Sequence, residues 1–303
     1  MDYRNHFDFI KNRNKFFGIS AALLLIGLIV LVAFGLNYGV DFKAGTSLDI
    51  NAGQTVTREQ VDKTFDSLGL KPAVVSISGN NDHISARYDT ILSEADVKKI
   101  SEGMKTAFGD KVSQEVNTVS PDIARELGVK AMIAVAIASV AICIYVSIRF
   151  EWRFAIAAII AILHDAFIVI AVFAICRFEV NLPFVAAVLT TIGYSINDKI
   201  VIFDRVRENL RFTRLKTSED LSNMLSNSIW QTMARNINTV VVVLIAALCL
   251  FIFGSESIKL FALAKIIGLT SGAYSSICIA SPLYYLLKNK SLSSKTRAAA
   301  VKE

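Results

Sequence analysis

Apolar residues gather into six runs, near Phe16 to Leu36, Gly128 to Ile148, Phe154 to Ile175, Leu182 to Phe203, Ile237 to Phe253 and Ile258 to Leu287. At about 1.5 Å per residue each is long enough to cross about 30 Å of hydrocarbon as a helix. The runs lack the strict alternation of barrel strands. A helix is therefore the expected geometry, because lipid offers backbone amides no partner outside the segment itself.

Between the first two runs the pattern changes. Apolar alternation predicts strands at Thr46 to Ile50, Ala73 to Ser78, His83 to Tyr88 and Ser113 to Val119, and helical periodicity covers Thr57 to Leu68 and Ser93 to Phe108. Each helix opens on a capping signature, Thr57 with Gln60 and Ser93 with Asp96. The order β-α-β-β-α-β predicts a ferredoxin-like α+β domain inserted into a polytopic helical membrane protein. The expected organisation is an N-terminal segment 1–15, a first transmembrane helix 16–36, an extracytoplasmic domain 37–127, a five-helix region 128–287 containing a loop 205–236, and a basic tail 288–303.

Composition agrees. Of 303 residues, 53% are hydrophobic and 19% charged, against about a quarter charged in soluble domains, and the mean hydropathy is +0.50. The net charge of +6 is a topology signal. Seventeen Lys and Arg fall on one side of the six runs, in segments 1–15, 149–153, 205–235 and 288–302, against Arg177 and Lys259 in the short connections of the other. The excess places both termini in the cytoplasm and outweighs any nucleic-acid reading. The first run exceeds a signal-peptide core and no Ala-x-Ala site follows, so it is expected to be retained. Cys143, Cys176, Cys249 and Cys278 lie in apolar runs without metal or disulfide spacing and are expected as free thiols; neither metal nor cofactor is expected.

The chemistry is expected where charge interrupts the spans, since an Asp or Lys at a helix centre costs about 2.5–3.5 kcal/mol. In the fourth span Asp198 follows Tyr194 and Thr191 at four and seven residues, a polar row with Asn197 beside it. The expected counter-ion of Asp198 is Arg235, at the start of the fifth span, with Lys199 as the alternative. Lys199 sits about 100° round the helix and is expected to snorkel to the interface. His164 and Asp165, eleven residues beyond Arg153, lie near mid-bilayer and read either as a proton relay or as hydrogen-bonded packing. Lys265 is expected to snorkel. Ala264, Gly268, Gly272, Ser276 and Ala280 make a smooth face for close helix approach. Asp204 with Arg207 and Arg205 with Glu208 are spaced for surface pairs, and Thr217 opens an amphipathic stretch expected to lie along the membrane.

Several strings together carry a resemblance. They are Gly39-Val40-Asp41-Phe42 with Gly45-Thr46, Arg149-Phe150-Glu151-Trp152, His164-Asp165, Gly193-Tyr194-Ser195-Ile196-Asn197-Asp198, and Phe203-Asp204-Arg205-Val206-Arg207-Glu208-Asn209. Over nearly its whole length the chain resembles the SecF family, membrane subunits of the bacterial SecDF protein-export factor within the RND transporter superfamily. It departs from that family at Ala44, where Gly is usual, and at Lys199, where Thr is usual.

The resemblance implies a non-enzymatic subunit of the bacterial inner membrane that pairs with SecD and assists SecYEG and SecA, with YajC and YidC as further partners. The proton motive force would drive late steps in moving a preprotein, with Asp198 carrying the proton and Arg235 as its partner. Two other readings compete: an RND-type half-transporter for a small molecule or lipid, and an intramembrane protease using Asp165 and Asp198 as a dyad.

Overall fold

The computed structural model describes residues 7–78, 81–213, 215, 217–254 and 256–300. Of the cations counted above, Arg4, Arg214, Lys216 and Lys302 lie outside them. The chain begins with α1 (Arg13–Phe34), then β1 (Asn37–Tyr38) and the one-turn α2 (Val40–Lys43). Next comes the α/β domain: β2 (Gly45–Asn51), α3 (Arg58–Leu68), β3 (Val74–Ser78), β4 (His83–Tyr88), α4 (Glu94–Phe108) and β5 (Ser113–Val119). Five long helical segments follow. They are α5 (Pro121–Arg149), α6 (Trp152–Cys176), α7 (Leu182–Phe212), α8 (Ser218–Phe253) and a last span made of α9 (Glu256–Ser275), a π-helical turn at Ser276–Ala280 and α10 (Ser281–Ala300). The short β6 (Glu179–Val180) lies between α6 and α7.

The strand and helix positions of the α/β domain are those the periodicity predicts, to within a residue or so at the ends. Its sheet runs β3-β4-β2-β5, antiparallel throughout, which is the ferredoxin-like order. Both capping signatures operate. Thr57 accepts from the Gln60 amide while the Gln60 side chain accepts from the Thr57 amide, and the Ser93 hydroxyl accepts from the Asp96 amide. Leu48, Ile50, Phe65, Ile84, Ile100 and Met104 close the core between sheet and helices.

Among the described residues six helices are long and apolar enough to cross a membrane, so this is a multi-pass membrane protein. α6, α7 and the last span occupy the centre, while α1, α5 and α8 turn apolar residues such as Val32, Met132 and Val242 outward. Three boundaries differ from expectation. α5 starts at Pro121 rather than Gly128, because Ser120 caps it directly at the end of β5 and Pro121 suits the first helical turn. Most of the expected loop 205–236 is helix, with only residues 213–217 between α7 and α8. The stretch after Thr217 is not a separate surface helix but the opening turns of α8; its Leu221, Met224, Leu225 and Ile229 pack into the core with Phe154, Phe203 and Tyr284. No Gly or Pro interrupts residues 217–253, so nothing breaks the helix.

The π-turn has a local cause. Pro282 has no amide to give to the carbonyl four residues back, and its ring crowds that carbonyl. The Ser281 hydroxyl, donating to the Ser276 carbonyl at 3.0 Å, satisfies one group the wider turn exposes.

A compact junction ties the α/β domain to the spans. β1 pairs in parallel with β6. The Arg87 guanidinium donates to the Tyr38 carbonyl at 3.0 Å and the Asn37 side chain at 3.3 Å, with Glu179 and Asp89 each at 3.7 Å. Asp41 accepts from the Leu182 amide at 2.8 Å, and Arg177 donates to the carbonyls of Phe34 and Gly35. Burial raises the Glu179 carboxyl above the usual carboxylate range, with Arg87 acting against the shift.

At the edge of this junction Ala44 and Gly45 both take left-handed φ, 63° and 134°. A Cβ on Gly45 would lie 2.1 Å from the Tyr88 carbonyl, so that position demands glycine. Ala44, with ψ 156°, holds a conformation costing a non-glycine residue about 1–3 kcal/mol. Since glycine loses about 0.5–1 kcal/mol more chain entropy on folding, Ala44→Gly is expected to stabilise the protein by about 1 kcal/mol. Thermal unfolding in detergent measures this, and an unchanged or lower midpoint would refute it.

Candidate functional site

Beyond Arg153 in its first turn, α6 is apolar apart from His164 and Asp165 at its middle, and the fold encloses the carboxylate completely. Asp165 Oδ2 accepts from Ser195 Oγ at 2.5 Å, Ser275 Oγ at 2.6 Å and Lys199 Nζ at 3.0 Å; Oδ1 accepts from Ser271 Oγ at 2.7 Å and lies 3.1 Å from His164 Nδ1. Three helices build this arrangement. Ser195 and Lys199 are four apart on α7, Ser271 and Ser275 four apart on α9, so each pair presents one face to α6.

Lys199 is also fully buried. Its ammonium lies within 3.4 Å of five oxygens: Ser195 Oγ at 2.5 Å, Asp165 Oδ2 and Ser275 Oγ at 3.0 Å, the Ser195 carbonyl at 3.3 Å and Ser276 Oγ at 3.4 Å. This corrects the expectation that Lys199 snorkels. Reaching the interface would strand Asp165 as an unpaired charge, at a cost larger than the entropy of fixing one lysine stem. The His164 Nε2 atom is buried without a hydrogen-bond partner, at the wall of an apolar groove of about 660 Å³ between α1, α6 and the last span.

Asp198 occupies a different setting. It is 6% exposed, sixteen residues past the start of α7, and among the described residues it makes no hydrogen bond or ion pair. The expected pairing with Arg235 is not formed within this chain. Arg235 is exposed at the start of the apolar part of α8. The expected polar row also divides. Thr191 is buried against α9, where a Cβ on Gly268 would lie 2.4 Å or less from its side chain, while Tyr194 and Asn197 are exposed in mid-span. Gly272 likewise backs onto Ser195, so the small-residue face is the seam that brings the serines of α9 to Asp165. The Lys265 ammonium sits 5.2 Å from the Tyr194 ring centre.

Beyond the apolar part of α7, Arg207 meets Asp204 at 2.9 Å and Arg205 meets Glu208 at 2.7 Å, as spaced. Arg205 and Asn209 also donate to Gln231, and Asn209 to Ser228, which clamps the end of α7 to the beginning of α8. Sequence alone does not single out Ser195, Ser271, Ser275 and Lys199 as one site. Their two four-residue spacings were visible, but nothing in a single chain says that they converge on one carboxylate.

Residues 98–290 match the family model for the protein export membrane protein SecD/SecF, C-terminal, and residues 29–56 match the SecD/SecF GG motif. The chain is 45% identical to a protein translocase subunit SecF from Alicyclobacillus acidocaldarius, over 96% of both chains. It belongs to the SecF family. A SecF from Haemophilus influenzae is 33% identical over 92% of this chain and 85% of its own. The protein translocase subunit SecDF of Bacillus subtilis is 44% identical, but this chain spans only 38% of that longer protein. A crystal structure of SecDF from Thermus thermophilus, described as a translocon-associated membrane protein, superposes with a TM-score of 0.82 at 31% identity, covering 93% of this chain and 39% of that one. The SecD/SecF GG motif match spans Ala44-Gly45, where both residues take the left-handed φ that favours glycine and this SecF-family chain supplies one.

Proposed function

We propose that this chain is the SecF half of a twelve-helix assembly that uses the proton motive force to assist late steps of protein translocation. Its partner is a six-span SecD-type subunit, and together they act on a preprotein emerging from SecYEG and SecA. Both termini lie in the cytoplasm and the α/β domain projects from the outer face of a bacterial inner membrane, in keeping with the bias of Lys and Arg. Asp198 takes up and releases the proton. The observation that carries this reading is a buried carboxyl that makes no ion-pair contact among the described residues, next to a polar face of Tyr194 and Asn197 that a lone six-helix bundle leaves exposed. Polar groups in mid-span are costly against lipid and mark a protein or water contact. Arg235, exposed on the following helix, is free to meet Asp198 or the partner as the helices shift. Asp165, held by Lys199 and three serines, is a fixed anion rather than a carrier.

One charge moved through 100 mV releases about 2.3 kcal/mol, enough to shift a two-state population about fiftyfold. Co-expression with the cognate SecD-type subunit tests the assembly. A stable complex is expected on purification, and Asn197→Leu with Tyr194→Leu is expected to weaken it at least tenfold. A chain that purifies alone in the presence of that subunit would overturn the reading.

A further inference from the structure

The Lys199 ammonium occupies a compact shell of five oxygens, contributed by one carboxylate, three hydroxyls and one main-chain carbonyl. Such a set is unusual for an amine, which has only three hydrogens to donate. It is the usual donor set of a hard cation, which draws on carboxylate, carbonyl and hydroxyl oxygens together. The stem enters from α7 and places the charge where α6, α7 and the π-turn meet. Both Ser275 and Ser276 reach it there, from either side of the change in helix pitch. The five oxygens come from three packed elements, Asp165 on α6, Ser195 on α7 and Ser275 with Ser276 on the last span, so the shell is held by the fold and not by the lysine alone.

We infer that Lys199 is a tethered cation filling a site for a small monovalent metal ion, so that this residue determines which ion the half-bundle binds. With the amine in place, a sodium ion has no room and no net charge to neutralise, since the pair with Asp165 is already neutral. Cut back to alanine, the same position leaves a buried carboxylate ringed by hydroxyls, and sodium completes the shell. The inference deepens the proton-coupled reading by saying why a metal ion does not compete at this site, and it makes Lys199 a specificity residue rather than a carrier.

The test is sodium-dependent thermal unfolding of the full chain in detergent, with choline chloride replacing sodium chloride at constant ionic strength. The wild type is expected to be indifferent. Lys199→Ala is expected to gain a saturable rise in midpoint, roughly 5 °C at a hundredfold excess over the dissociation constant. Potassium, being larger, should give a smaller rise. The double variant Lys199→Ala with Asp165→Asn should lose the response, which separates a site ion from a general salt effect.

A Lys199→Ala protein indifferent to sodium, or a double variant that still responds, overturns the inference. Should Lys199→Ala not be recovered folded, Lys199→Ser is measured in the same way. Failure of both to fold in sodium also overturns it, because the shell must then require the amine itself. The readout is binding, so it stands or falls independently of whether Asp198 carries protons.

Discussion

Lys199→Met is expected to destabilise the protein by about 3–5 kcal/mol, because it leaves Asp165 without its cation in a site that water does not reach. Methionine keeps the length of the stem, so neither an ion nor another side chain can move in. The serines still donate to the carboxylate, but hydroxyl dipoles replace only part of a full charge at 3.0 Å. Adding Asp165→Asn removes the stranded charge and is expected to restore most of the loss, since the amide oxygen still accepts from the serine on its side while the amide NH2 donates to a hydroxyl oxygen on the other. Equilibrium unfolding in sodium-free detergent buffer reads both variants. A single-variant cost under about 1 kcal/mol, or a double variant no better than the single, would show that the pair is not held as described.

The second large effect is on function. Asp198→Asn keeps the shape of the side chain and removes its proton exchange, so the gradient-dependent increment of export is expected to vanish, against the fiftyfold bias that about 2.3 kcal/mol per 100 mV provides. Stability should be unchanged or slightly higher, since a buried carboxyl with no hydrogen bond among the described residues becomes a neutral amide. Export into membrane vesicles, with and without an imposed proton gradient, measures the loss. Gradient-stimulated export at the wild-type rate in this variant would remove Asp198 from the mechanism.

Most of the architecture was legible because its causes are local. Runs of twenty apolar residues announce spans, and alternation with capping residues places the strands and helices of the α/β domain within a residue or so. The structure departs from the local pattern where distant neighbours decide the outcome. The stretch after Thr217 is amphipathic, which suits a surface helix, but its apolar face found Phe154 and Phe203 instead of lipid. For Lys199 the helical wheel gave its angle to Asp198 correctly and said nothing of Asp165, 34 residues earlier, or of Ser275, 76 residues later. A side chain's direction round a helix is a property of sequence, whereas what stands opposite is a property of packing. The Asp198–Arg235 pairing fails for a similar reason: the two residues are on neighbouring helices of the chain, yet Arg235 faces outward.

The knot formed by Arg87, Glu179, Asp41 and Arg177 has a mechanical meaning. It fastens the globular head to the tops of α1, α6 and α7 by main-chain and charged contacts, with β1 and β6 laced together across the gap. A hinge at this neck would let the head idle while the shafts below it rocked. Riveted as it is, any tilt of the shafts would carry the head with it, so that a few degrees at the neck would become a sweep of the head's far edge.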